Sequence, residues 1–131
     1  MPVAVFHMIA GAPQPVAPYS HAVESDGWVF LTGQIPNNPE DDLMPLPEGI
    51  EAQTRRVLDN LTLVLGGLGL GLDVVVSVRV FLTHFGQDYA AMNAVYASYF
   101  PPDRRPARTC IGVTDLARGA RIEIDCIARR P

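Results

Sequence analysis

Polar and apolar residues recur along this chain with two periods, and the switches between them mark out eight elements. Val3–Ile9 reads as a first strand, ended by Gly11, Pro13 and Pro15, and Val16–Ser20 as a proline-bounded turn. His21–Ser25 and Trp28–Thr32 are predicted to pair about Asp26-Gly27, a dipeptide that suits a two-residue hairpin turn. From Gly33 to Pro47 four prolines (Pro36, Pro39, Pro45 and Pro47) surround an acidic stretch, which excludes helix and central strand. Glu48–Leu68 is the clearest helix: Ile50, Thr54, Val57, Leu61, Val64, Leu65 and Leu68 fall at helical spacing. Glu48 and Glu51 favour its N-terminal dipole, and Gly66, Gly67 and Gly69 end it. Leu72–Thr83 is β-branched and apolar nearly throughout, the pattern of a central strand covered on both faces. Gln87–Phe100 is a second amphipathic helix, carrying Tyr89, Met92, Val95, Tyr96 and Tyr99 and stopped by Pro101-Pro102. Arg108–Thr114 and Arg121–Ala128 are two last strands around a turn at Leu116–Gly119.

The order β-β-β-α-β-α-β-β predicts an α+β layer, a mixed six-stranded sheet with two helices on one face. The opposite sheet face is then wet or covered by another subunit. No repeat or linker interrupts the 131 residues, so a single domain over 1–131 is expected.

Composition removes several function classes. The net charge is −4 and the pI about 5.2, with no clustered basic field. Counterion release on nucleic acid requires one, so a nucleic-acid or anionic-membrane binder is disfavoured. All ten basic residues are Arg; without Lys, Schiff-base chemistry on a lysine is impossible. Guanidinium groups favour planar, bidentate recognition of carboxylate or phosphate. Two cysteines, Cys110 and Cys126, are too few for a disulfide scaffold and fit a cytoplasmic chain with buried thiols. Val3–Ala10 is short and lacks a preceding basic residue, so it does not read as a signal peptide, and no run approaches ~20 apolar residues.

The last two strands carry the candidate chemistry. If Ile111 and Val113 face the core together with Ile122, Ile124 and Cys126, then Arg108 and Cys110 lie on the same sheet face as Glu123 and Asp125, opposite the helices. The residues alone leave two readings open. One is a solvated face with a cross-strand ion pair. The other is a carboxylate-binding Arg beside a carboxylate able to activate water.

Pro106-Ala107-Arg108-Thr109-Cys110, followed by Ile122-Glu123-Ile124, resembles the C-terminal signature of the RidA/YjgF family. Pro18-Tyr19-Ser20, Thr32-Gly33-Gln34-Ile35-Pro36, Glu51-Ala52-Gln53-Thr54-Arg55 and Asn93-Ala94-Val95-Tyr96 are similar to further segments of that family, in order and with spacing intact from about Pro13 to Arg129. The departures are His21, where many relatives have Gln, and Thr109, where Ser is common; His7 and His84 belong to no motif.

The resemblance implies a chorismate-mutase-like homotrimer with an inner barrel of sheets and ligand sites between subunits. It implies hydrolysis of reactive 2-imino acids and their enamine tautomers (2-aminoacrylate, 2-iminopropanoate, 2-iminobutanoate) to 2-keto acids and ammonia. Arg108 would clamp the substrate carboxylate and Glu123 would activate water, with Tyr19, Gly33, Asn93 and Cys110 lining the pocket. Neither metal nor cofactor is expected, because a protonated imine is already electrophilic. A non-catalytic binder of small carboxylates would use the same Arg108 without Glu123. A ribonuclease or translation inhibitor, an activity attributed to some relatives, is opposed by the acidic balance.

Overall fold

Two β-α-β crossovers decide the layout of the molecule. The computed structural model describes residues 3–131. Its strands are β1 (Val5–His7), β2 (Ala22–Ser25), β3 (Trp28–Gln34), β4 (Val75–Leu82), β5 (Ala107–Gly112) and β6 (Ile122–Arg129); its helices are α1 (Ile50–Gly67) and α2 (Phe85–Tyr99). Across the sheet the order is β1-β2-β3-β6-β4-β5. Only β4 and β5 pair in parallel; every other pair is antiparallel. Helix α1 carries the chain from β3 over β6 to β4, and α2 carries it from β4 to β5. Such crossovers share one hand, and two taken in the same direction put both helices on the same face. The helices pack on each other and on β3, β4 and β6, giving the expected α+β layer of six strands and two helices.

The core lies between the helices and one sheet face. Val29 and Leu31 of β3, Val78, Val80 and Leu82 of β4, and Ile122, Ile124 and Cys126 of β6 are all buried there against Val57, Leu58, Leu61, Val64 and Leu65 of α1. The Asp26-Gly27 turn is as the dipeptide predicts, with both residues at positive φ (53° and 81°). At the end of α1, the Leu70 amide donates to the Leu65 carbonyl and the Gly69 amide to that of Gly66, the paired closure that stops a helix after a glycine.

Two expectations need correction. Leu72–Val74 is a single 3-10 turn, so β4 begins only at Val75. Nor is β4 covered on both sides: Val76 and Arg79 are exposed on the face away from the helices. That face also presents Phe6, Trp28, Phe30 and Ile111, each between 43% and 70% exposed, an apolar surface of the kind that marks association. No helix among the described residues is long and apolar enough to cross a membrane.

Candidate active site

The structure overturns the predicted arrangement of Arg108 and Cys110. They do not share a face with Glu123 and Asp125, and β5 and β6 do not form a hairpin. The chain enters β5 from the α2 crossover as an edge strand beside β4, while β6 inserts between β3 and β4. In register, Arg108 and Cys110 sit beside Val78 and Val80, both buried against the helices. Their side chains therefore point to the helical side, and Ile111, expected in the core, is 46% exposed on the other. Glu123 and Asp125 pair with Phe81 and Arg79 on the helix-free face. The predicted site residues thus divide into two groups.

The first group gathers around Arg108. Its guanidinium carbon lies 4.8 Å from the ring centre of Tyr96 and 5.9 Å from that of Tyr89, both on α2. Aromatic faces hold a cation by their quadrupole and cover its aliphatic stem. Asn93, one turn from each tyrosine, completes a helical stripe. Asn93, Tyr96, Arg105, Pro106 and Arg108 line a cavity of about 340 Å³. Among the described residues no carboxylate forms an ion pair with Arg108. Two buried polar atoms, Asn93 Oδ1 and the Tyr96 hydroxyl, lack any partner. Burial pushes the Tyr96 phenol up to about 12, against the opposing charges of Arg108 and Arg105, so it stays a hydrogen-bond donor. Cys110 is half-buried against the core, and its thiol is likewise raised by burial and opposed by Arg108. A raised thiol is a poor nucleophile, and Cys110, expected to line the pocket, packs against the core and is not among the residues that line this cavity.

The second group surrounds Glu123. Tyr19, Thr32, Gly33, Gln34, Asn37 and Glu123 help line a cavity of about 330 Å³ that shares no residue with the first. Burial, and then the neighbouring charge of Asp125, raise the Glu123 carboxyl above its ordinary value. Asp125 is itself gripped by Arg79 through two hydrogen bonds of 3.0 and 2.6 Å. Gly33 lies at an irregularity of the β3–β6 pairing, and the absence of a side chain there makes room for Glu123: a Cβ would stand 2.3 Å from its carboxylate oxygen. Tyr19 forms part of the wall, its hydroxyl accepting from the Val16 amide at 3.2 Å.

Residues that composition and spacing did not single out hold this second group in place. His21, noted in sequence only as a departure, is buried; its Nδ1 accepts from the Ile9 amide (2.7 Å) and its Nε2 donates to the Pro13 carbonyl (2.6 Å). That fixes the segment leading into the Pro13–Tyr19 wall. Asn60 of α1 donates to the carbonyls of Ile35 and Asn37. Asp88, 2% exposed in the first turn of α2, takes a two-pronged contact from Arg121 (2.9 and 2.6 Å) at the entrance to β6. Arg121 also donates its amide to Gln53 of α1. Among the described residues no group of three or more His, Cys, Asp or Glu is arranged to hold a metal.

A family model described as Endoribonuclease L-PSP matches residues 9–130. The chain belongs to the RidA/YjgF family. A RutC family protein of Synechocystis is 40% identical over 93% of both chains. The 3-aminoacrylate deaminase RutC of Acinetobacter baylyi is 38% identical, over 90% of this chain and 91% of its own. The solved structure of the yeast protein YEO7 superposes with a TM-score of 0.91 at 34% identity, covering 98% of this chain and 100% of that one. RidA/YjgF membership accounts for the motif set of the sequence. In this member the C-terminal motif is split between two sheet faces, Arg108 on one and Glu123 on the other.

Proposed function

We propose that this protein hydrolyses reactive 2-imino acids and their enamine tautomers to 2-keto acids and ammonia, at sites completed between copies of the chain in a homotrimer. The carrying observation is Glu123: a half-buried carboxyl of raised pKa, lining a cavity against the backbone of Gly33. A carrier of carboxylates has no use for such a group, whereas a hydrolase needs a base poised towards neutral pH. The acidic net charge argues against the ribonuclease activity that the family description names.

In the proposed reaction the substrate carboxylate lies on Arg108. A water gives a proton to Glu123 as its oxygen bonds to the imine carbon, and the C=N π electrons pass to nitrogen. Glu123 returns that proton to the nitrogen, giving the neutral carbinolamine; its hydroxyl proton then passes through Glu123 to the nitrogen as C=O forms, C–N breaks and ammonia leaves. Asn93 accepts a hydrogen bond from the ligand on the Arg108 side, while Tyr19 and the Gly33 backbone contact it from the Glu123 side. Because the two groups sit on opposite faces, a single copy brings only half of the machinery to a ligand. Laying the helix-free face of one copy against the Arg108 edge of the next would join the halves and cover the exposed Phe6, Phe30 and Ile111. A head-to-tail contact of this kind closes as a ring of three when each copy is turned by a third of a circle from the last.

The test is ammonia release from 2-iminopropanoate generated in situ. Arg108→Ala should abolish acceleration, and Glu123→Gln should lose turnover but still bind pyruvate. Mixed after subunit exchange, these two inactive variants should regain part of the activity, because some sites then hold an intact Arg108 and an intact Glu123. Pyruvate binding without acceleration over buffer by the wild type would replace this reading with that of a carrier. A sedimenting mass of one 14.2-kDa chain would remove the inter-subunit site.

A further inference from the structure

We propose that the Arg108 cavity is a two-anion site, which makes the preferred substrates 2-imino dicarboxylic acids, the imines of acidic amino acids. This rests on the reading of Arg108 as a carboxylate clamp and extends it to a second residue, Arg105. Both guanidinium-bearing residues line the same cavity of about 340 Å³. Arg105 reaches it from the short segment between α2 and β5, where Pro101 and Pro106 restrict the backbone and the Arg105 Nε donates to the Phe100 carbonyl at 3.3 Å. That bond uses one donor edge and leaves the terminal nitrogens available. Tyr96, over whose ring the Arg108 guanidinium lies, lines the same cavity between them.

Among the described residues neither arginine forms an ion pair with a carboxylate, although Arg79, Arg121 and Arg130 each do. Two like charges around one cavity repel unless a counter-charge enters. The cavity also offers a polar lining that nothing in the chain satisfies: the Tyr96 hydroxyl and Asn93 Oδ1, both buried without partners. Buried polar groups are normally bonded, so these mark where ligand atoms or water belong. One carboxylate on Arg108 and a second on Arg105 would neutralise the pair. The Tyr96 hydroxyl can donate to one carboxylate, and Asn93 Oδ1 can accept from the substrate N–H. A monocarboxylate such as 2-iminopropanoate fills only half of this arrangement.

The experiment compares three stable ligands by calorimetry at fixed ionic strength: 2-oxoglutarate, 2-oxobutanoate, and 2-oxoglutaramate, which keeps the length of the diacid but not its second charge. With a charged hydrogen-bonded contact at stake, 2-oxoglutarate should bind about tenfold more tightly than either of the others. Arg105→Gln should erase that advantage while leaving the Kd of 2-oxobutanoate within about twofold of wild type. Arg105→Lys, which keeps a cation there, should retain part of it and so exclude a merely local folding effect. Equal affinity of wild type for all three ligands would overturn the proposal, as would equal weakening of all three by Arg105→Gln. If Arg108→Ala leaves 2-oxobutanoate binding unchanged, the carboxylate clamp itself is wrong and this proposal falls with it.

Discussion

Gly33→Ala tests whether the position of the Glu123 carboxyl, rather than its presence alone, carries the activity. The backbone of Gly33 lies outside the left-handed region, so alanine imposes no strain of its own. Its Cβ would stand 2.3 Å from Glu123 Oε2, 3.0 Å from Cδ and 3.2 Å from Cγ. An ordinary contact begins at 3.4 Å, so the carboxylate has to retreat by about 1 Å. The obstacle is the far end of a flexible side chain, and a rotation of that side chain resolves the clash. Stability should therefore change by less than about 1 kcal/mol, the more so because Gly→Ala also restricts the unfolded chain. Catalysis is less forgiving: a misplacement of that size costs about 10²-fold in rate. Steady-state ammonia release should show kcat falling by about that factor, with pyruvate affinity within about threefold of wild type and an unchanged melting curve. Glu123→Asp withdraws the carboxylate by one methylene, so combining it with Gly33→Ala should cost less than the product of the two single effects. A kcat within twofold of wild type, or a loss of rate that tracks a loss of folded protein, would refute this account of Gly33.

Asp125→Asn removes the negative neighbour that helps raise the Glu123 carboxyl and frees the charge of Arg79 beside it; the acidic limb of the pH–rate profile should move to lower pH, and an unmoved limb would take Glu123 out of the role of base. Glu24 is held below its ordinary value first by hydrogen bonding to Arg130, whose Nη1 also reaches the Leu68 carbonyl at the end of α1. A lowered folded-state value means stabilisation present above the unfolded carboxylate range and lost as the pH falls through the folded one. Glu24→Gln should thus lower the Tm at pH 7, with the difference from wild type fading in acid. His21→Ala leaves the Ile9 amide and the Pro13 carbonyl without their partner and should cost about 2–3 kcal/mol in urea unfolding, most of it recovered by His21→Gln, whose amide offers one acceptor and one donor.

Periodicity made the elements legible because each buries a single face. The helical stripe of α1 and the alternation of β6 report burial directly, and the Asp26-Gly27 turn reports its own geometry. Strand order is different in kind: nothing local in β5 says that β6 will insert on the far side of β4. The phase of β5 was misleading for a physical reason. Its more apolar set, headed by Ile111, faces outward, while the set containing a charge faces the helices, because Tyr89 and Tyr96 supply aromatic faces on which a guanidinium can lie. The signal for those partners was present as the stripe Tyr89, Asn93 and Tyr96 on one side of α2. His21 and Asn60 gave no comparable sign, since a residue that ties down loop carbonyls carries no period.

The placement of Arg108 and Glu123 on opposite sides of the sheet has a consequence for the idle protein. On one face of neighbouring strands they would have found each other, and an internal contact would have quenched the cation and stripped the carboxyl of its basicity. The intervening β4 and the inverted phase of β5 prevent that short circuit within a chain. Within one copy neither group neutralises the other, and in the proposed trimer only the contact between copies would bring them to one site.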